Sequence, residues 1–258
     1  MRILKPRWTI ETDINHIDGM LRRIERAGRT CYKSEDRITH DSARAFVKTR
    51  LIDRGHLSVL EHESVTVRFQ CDRGVSHEIV RHRPASYSQE STRYCNYSKE
   101  KFGKEVSFIE LRPFLSESQH GPWLIALGEV EECYFTLMER GASPQIARSV
   151  LPNSLKTEIV ITYNLRQWRH VFTLRTDNAA HPQMRELMRP LLAAFRKLIP
   201  VIFDRIGDAT PVYEKCPECG HDTLLHDVSC ETCTWVLGES SLRDWITYEN
   251  EKLDKSGQ

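Results

Sequence analysis

The sequence predicts an α+β fold, a mixed sheet with flanking helices followed by a small cysteine-held module, and three observations predict it. Two amphipathic helical stretches precede a strictly alternating strand near the N-terminus. Later strands and helices mix without the regular βαβ repeat of a doubly wound fold. Four of the eight cysteines crowd into residues 216–233, well after the last strong helical pattern.

The elements follow in chain order. Ile14, Ile17, Leu21 and Ile24 recur at three- and four-residue spacing, and Ala43, Phe46, Val47 and Leu51 do so again behind Asp41, a residue suited to an N-cap. From Val65 to Cys71 the pattern changes to period two: Val65, Val67, Phe69 and Cys71 face one way, Thr66, Arg68 and Gln70 the other, the pattern of a half-buried strand. A short helix is expected from Gly74 to about Arg81, stopping before Pro84 because the residue preceding proline avoids helical geometry. Residues 84–98 read as a polar loop, Val106 to Leu111 as a strand and Trp123 to Arg140 as a helix. Thr157 to Tyr163, with Ile159, Val160, Ile161 and Thr162, reads as a third strand. Helices from about Leu165 to Phe172 and from Ala179 to Ile199 close the body.

Length and charge limit what such a body does. A chain of 258 residues forms one large domain or one domain plus an appendage. No run reaches the roughly 18 apolar residues of a membrane span, and the opening MRILKPRWTIETDI lacks a secretory apolar core, so a soluble, cytoplasmic protein is expected. Residues 216–258 hold three basic and nine acidic residues, net −6, and the preceding 215 therefore carry +7. A basic body with an acidic tail favours small anionic ligands on the body and argues against nucleic acid on the tail.

The densest polar stretch is Arg81-His82-Arg83-Pro84-Ala85-Ser86-Tyr87-Ser88-Gln89-Glu90-Ser91-Thr92-Arg93-Tyr94. Guanidinium forks suit phosphate oxygens, and Ser and Gln complete the hydrogen bonding. A solvated basic loop is the plain alternative, but only Glu78 and Glu90 lie near in sequence to pair with these arginines. Downstream stand Arg148, Asn164-Leu165-Arg166 with His170 one helical turn on, Leu174-Arg175, and His181.

Taken together these segments resemble the flavin-dependent thymidylate synthases. That family's signature, Arg-His-Arg followed by spaced Ser, Asn or Ser, Ser and Arg, is filled by residues 81–93, and the likeness runs from His56-Leu57-Ser58-Val59-Leu60-Glu61-His62 to His181, over roughly residues 10–205. The resemblance implies reductive methylation of deoxyuridine monophosphate (dUMP) to deoxythymidine monophosphate (dTMP). Methylenetetrahydrofolate would give the carbon, and reduced FAD, recharged by NADPH, the hydride. It implies a dUMP site of Glu78, Arg81, Gln89, Ser91, Arg93, Arg148 and Arg175, with Arg175 stabilising negative charge on the uracil. It implies a flavin site of Ser58, Glu61, Arg81, His82, Arg83, Asn164, Arg166, His170 and His181. His56 would touch folate or the entering hydride donor, or else simply cap a turn. A homotetramer with active sites shared between subunits is also implied.

The sequence departs from the family pattern at Glu78, where many relatives have Gln, at Ser88-Gln89, where Asn-Glu is common, and at His170, where others use Asn. A carboxylate at 78 would sit near a phosphate unless it pairs with an arginine. No Gly-x-Gly-x-x-Gly turn and no Pro-Cys-His tripeptide occurs. Side-chain cations would then hold the flavin, and no cysteine nucleophile is expected. Cys31, Cys71, Cys95 and Cys133 read as core or half-buried residues.

Cys216-Pro217-Glu218-Cys219 and Cys230-Glu231-Thr232-Cys233 form two Cys-x-x-Cys pairs ten residues apart, the spacing of a zinc ribbon with four thiolates on one structural Zn. His221 and His226 are lesser candidates as ligands, and a redox role is a lesser alternative. The expected division is a synthase domain over 1–213, a ribbon over 214–238 and an acidic tail over 239–258, in which Ser241, Leu242, Trp245 and Ile246 suit a short docking helix. A zinc-ribbon nucleic-acid-binding protein without catalysis is the competing reading, although the acidic tail points to no nucleic acid and the composition to no membrane.

Overall fold

A computed structural model of the protein describes residues 1–206 and two short strands beyond them. Its centre is a four-stranded antiparallel sheet in the order β2 (Arg7–Ile10), β3 (Ser64–Asp72), β6 (Lys156–Asn164), β4 (Ser86–Gln89). The parallel pairing of a mixed architecture is present too, in a separate pair of β1 (Arg2–Leu4) with β5 (Ser107–Ile109). The alternation read from Val65 to Cys71 is realised in β3, whose Val65, Val67, Phe69 and Cys71 are fully buried. β6 pairs with β3 along the whole length of both, from Ser64 opposite Asn164 to Asp72 opposite Lys156.

Strand β4 lies inside the stretch expected to be a polar loop. It is an edge strand, so only one side needs a ladder partner, and a polar sequence such as Ser-Tyr-Ser-Gln suffices. The strand expected from Val106 to Leu111 is realised as the shorter β5, whereas β1 and β2 were not legible because Pro6 divides that stretch into pieces too short for alternation to stand out.

Helices cover one face of the sheet. α1 (Ile14–Tyr32) begins at Asp13, whose side chain accepts from the Asn15 amide at 2.7 Å, and buries Ile17, Met20 and Ile24. α2 (Ser42–Phe46) continues directly into a π-helical turn, Val47–Ile52. Asp41 precedes it but makes no capping bond, because its carboxylate is taken by the His40 ring. The expected helix after β3 is α3 (Arg73–Ile79), capped by Asp72 and ending earlier than Arg81. Its end is fixed by Tyr87 and Tyr163, whose hydroxyls both donate to the Ile79 carbonyl at 3.1 Å.

α6 (Leu165–Arg175) and α7 (Pro182–Leu198) pack through an aromatic group of Trp168, Phe172, Phe195 and Phe203 with centroids 5.0–5.8 Å apart. Trp168 also donates to the Val65 carbonyl at 3.0 Å, tying α6 to β3. A second, smaller core of Tyr97, Val106, Phe108, Leu127, Tyr134, Ala147 and Leu155 lies under α4 (Glu117–Glu139) and α5 (Pro144–Ala147). α4 starts six residues before Trp123, at a capping box of Ser116 and Gln119.

Two of the cysteine expectations need correction. Cys71 is buried and Cys95 half-buried, but Cys31 and Cys133 are exposed. Cys31 lies in the last turn of α1, past Gly28 and Arg29, the last buried residues of that helix, and Cys133 is turned off the line of α4 that buries Leu127 and Tyr134. Beyond residue 206 the structure describes an antiparallel pair, β7 (Tyr213–Lys215) and β8 (Asp222–Leu224), with Lys215 opposite Asp222. Cys216, Cys219, Cys230 and Cys233, His221 and His226, and the docking helix near residues 241–246 lie outside the described residues, as does the proposed boundary between ribbon and tail. Among the described residues no helix is long and apolar enough to cross a membrane.

Candidate active site

The end of α3 and the turn after it bring Glu78 and the signature residue His82 onto Arg175 in the last turn of α6. Arg175 donates from Nε to His82 Nε2 at 2.8 Å and from Nη1 to Glu78 Oε2 at 2.7 Å. The His170 ring stands edge-on to that of His82, centroids 5.9 Å apart. Burial, then the neighbouring Arg175 and His170, push the His82 imidazole down to about 4, so it is neutral at pH 7. The question raised by a glutamate at position 78 is therefore resolved by pairing: its carboxylate is on Arg175.

This turn is well anchored. The single Tyr87 hydroxyl proton points between the carbonyls of Ile79 and His82, and its oxygen lies 2.9 Å from the Tyr163 hydroxyl. Burial pushes both phenols up, keeping them protonated donors. Sequence reading missed these two tyrosines as supports; the signal available was Tyr87 inside the signature and Tyr163 on the buried face of the alternating strand. The peptide bond between Arg83 and Pro84 is cis.

A second group forms at the other end of α6. Asn164 caps that helix by accepting from the Gln167 amide at 2.8 Å, and Arg166 pairs with Glu61 at 2.6 Å. Glu61 and Ser58 belong to the 3₁₀ turn Leu57–His62, which the backbone bond from Leu165 N to Glu63 O holds beside the start of the helix. Ser58, Glu61, Arg166 and His170 are all exposed. α6, about 17 Å long at 1.5 Å per residue, thus links the Glu61–Arg166 pair to the Glu78–Arg175–His82 group. His56 hydrogen-bonds the Tyr32 hydroxyl at 2.8 Å.

The remaining nucleotide-site candidates form a third group. Arg148 donates to Thr92 Oγ1 at 3.1 Å, which sets it beside Ser91 and Arg93, and Ser91 Oγ accepts from the Arg93 amide at 3.4 Å. Thr92, buried between them, is a residue the signature does not name. Gln89 is committed to the framework: its amide nitrogen donates to Ser76 Oγ at 2.9 Å and Thr157 Oγ1 at 3.2 Å.

Among the described residues no hydrogen bond or ion pair joins the Arg148 group to the Arg175 group, and Arg81 and Arg83 are exposed without an acidic partner. His181 is at the start of α7, where its field, like that of Glu78, acts on Asp72.

A half-open cavity of about 460 Å³ is lined by Arg68, Gln89, Tyr97, Phe102, Lys156 and Glu158. Its cations are neutralised, with Lys156 bonded to Glu90 at 3.1 Å and to Glu158 at 2.7 Å. It is therefore poorly suited to a phosphate. The exposed guanidinium groups of Arg81, Arg83, Arg93 and Arg148, which have no acidic partner among the described residues, are donors of the kind that fits phosphate and diphosphate groups.

Comparison with known proteins gives one consistent result. Residues 14–201 match the family model for thymidylate synthase complementing protein. The chain is 34% identical over 205 residues to the flavin-dependent thymidylate synthase of Geobacter sulfurreducens, covering 75% of this chain and 84% of that protein. It is 32% identical over 192 residues to the Pyrococcus abyssi enzyme of the same name, covering 72% and 78%, and 33% identical over 209 residues to that of Mycobacterium tuberculosis, covering 76% and 81%. Two solved structures share the fold. The UMP/dUMP methylase PolB from Streptomyces cacaoi, bound with 5-Br dUMP, aligns with a TM-score of 0.64 at 22% identity over 79% of this chain and 96% of that one. Thymidylate Synthase X from Helicobacter pylori, with FAD and dUMP, aligns at 0.59 and 21% identity over 77% and 97%.

Proposed function

Because the chain belongs to the thymidylate synthase complementing protein family, whose matched members are flavin-dependent thymidylate synthases, we propose that it converts dUMP to dTMP by reductive methylation at a flavin-containing site. The observation that carries this reading is the Arg175 guanidinium, held between Glu78 and a neutral His82 in a fold shared with dUMP-binding proteins. A fixed cation beside a uracil favours the ionised ring and the electron density that C5 needs to form a bond to carbon.

Arg81, Gln89, Ser91, Arg93 and Arg148 complete the nucleotide site, with the arginines on the phosphate and Gln89 shaping the wall. Ser58, Glu61, Arg81, His82, Arg83, Asn164, Arg166, His170 and His181 form the flavin site. Exposed cations suited to a diphosphate and two imidazoles within a ring's width of each other support that assignment. When bound and reduced with electrons from NADPH, the flavin would supply the hydride that reduces the transferred one-carbon unit to a methyl group. The carbon comes from methylenetetrahydrofolate and the reducing equivalents from NADPH.

A homotetramer fits the division of the nucleotide residues into two separate groups: facing subunits would bring the Arg148 group of one to the Arg175 group of the other. The two Cys-x-x-Cys pairs hold a structural zinc, and the antiparallel pair of β7 and β8 flanking the first of them is in keeping with a ribbon. A soluble protein of the cytoplasm accords with a nucleotide substrate. The test is anaerobic incubation with dUMP, methylenetetrahydrofolate and NADPH. Formation of dTMP together with NADPH oxidation is expected, and oxidation without dTMP would overturn the assignment.

A further inference from the structure

Two side chains that the resemblance assigns to ligands are bonded instead to Arg175. Glu78 Oε2 takes its Nη1 and His82 Nε2 takes its Nε. A guanidinium carries five N–H donors and no acceptor, so His82 Nε2 must be the unprotonated ring nitrogen and the ring proton sits on Nδ1. His82 is 6% exposed, and its own carbonyl is held by the Tyr87 hydroxyl, which is braced on β6 through Tyr163. His82 is thus fixed to the framework before any ligand arrives, and Glu78 is carried on α3. Arg175 Nη2 has no hydrogen-bond partner among the described residues, and the side chain remains 23% exposed.

We infer that Glu78 and His82 are positioning residues for Arg175: they grip two nitrogens of its guanidinium and leave the Nη2 edge to meet the anionic substrate. The alternative is an ion pair that only ties α3 to α6. Its energetic signature would differ, because a pair with its carboxylate a third exposed contributes little to stability. Orientation, by contrast, acts on the rate through the placement of charge at the reacting ring. Glutamate and glutamine would both serve as the acceptor at position 78, since each offers an oxygen to Nη1, whereas alanine offers none. The inference rests on the dUMP reading for its substrate, but the arrangement itself can be tested without substrate.

The experiment has two arms on the full chain. In the first, solid-state NMR of protein labelled with ¹⁵N-histidine, with the His82 signals identified by their loss in His82→Gln, reads the tautomer. Nδ1–H is expected in the wild type, with a change in Arg175→Ala; an Nε2–H imidazole at pH 7 would overturn the inference. In the second arm, kcat and KM for dUMP are measured with the melting temperature. Glu78→Ala is expected to lower kcat about tenfold or more, the scale of a lost hydrogen bond to a charged group, with little change in melting temperature, and Glu78→Gln to recover most of the loss. Equal losses in the two variants, or none in either, would overturn it. A wild type that makes no dTMP would defeat the functional reading, and the first arm would still decide the positioning.

Discussion

Arg175 is placed by two acceptors whose own positions were set by separate parts of the chain, Glu78 on α3 and His82 in the turn beyond it. Replacing it with lysine keeps the charge but loses the fork, so Arg175→Lys is expected to lower turnover by about a hundredfold or more, measured as dTMP formed under saturating dUMP. His82 carries a second prediction. The titratable and charged groups facing its ring are Arg175 and His170, and burial together with these holds it near 4 in the fold against 6.5 in the open chain. The unfolded chain therefore binds the extra proton: this contribution is complete above about pH 6.5 and is lost as pH falls through 4. Glu186 acts oppositely, since burial pushes its carboxyl up to about 7 and its contribution is lost as pH rises through that value. Urea unfolding of wild type and His82→Gln at pH 7 and pH 5 separates the two. The wild type should lose stability relative to the variant at pH 5, and a constant difference would show that His82 is not the proton acceptor.

At the scale of elements, α6 is the rod on which both ends of the site are mounted, and its N-cap is the cheapest point at which to disturb it. Asn164→Ala removes the bond to the Gln167 amide and is expected to cost about 1 kcal/mol of stability and to weaken flavin binding. Asn164→Asp should retain the cap, so flavin titration of the pair distinguishes helix support from direct contact. Gly28 gives a prediction whose sign the contact decides. Alanine is ordinarily the better helix residue by about 1 kcal/mol, but a Cβ at Gly28 would come within 2.7 Å of the buried Phe46 ring. Gly28→Ala is therefore expected to destabilise, by about 1–3 kcal/mol in thermal or denaturant unfolding, because α1 and α2 are closely packed there. The elements legible in the sequence were mainly those with long, unbroken periodicity, β3, β6, α1, α6 and α7, with the shorter α3 and β5 and the helical stretch from Ala43 also expected. β4 escaped because an edge strand needs neither apolar alternation nor a second ladder, and α4 was read short because its first turn is polar and defined by a capping box rather than by apolar spacing.

Across the whole molecule, a helix-covered antiparallel sheet carries exposed arginines in separate groups, and the chain continues into an acidic, cysteine-bearing segment. A protein ended after residue 213 is expected to keep flavin binding and to lose thermal stability or assembly in light scattering. Loss of turnover alone, with the oligomer intact, would contradict a structural role for that segment. The proposed zinc site predicts that a chelator shifts the melting temperature of the full chain and leaves that of the truncated one unchanged.

By itself the sequence determined the α+β class, the central strands, the order of the signature segments and the family resemblance, because these reside in periodicity and in the local run of residue types. It could not decide what each charged side chain touches. Glu78 and Arg175 are ninety-seven positions apart, and only the packing of α6 on β3 and the tyrosine-braced turn brings them to 2.7 Å. The same packing commits Gln89 to Ser76 and Thr157 and sets Arg148 on Thr92. A hydrogen bond is fixed by angstrom-scale geometry between segments distant in the chain, which composition and spacing do not encode and which the folded sheet and its helices impose.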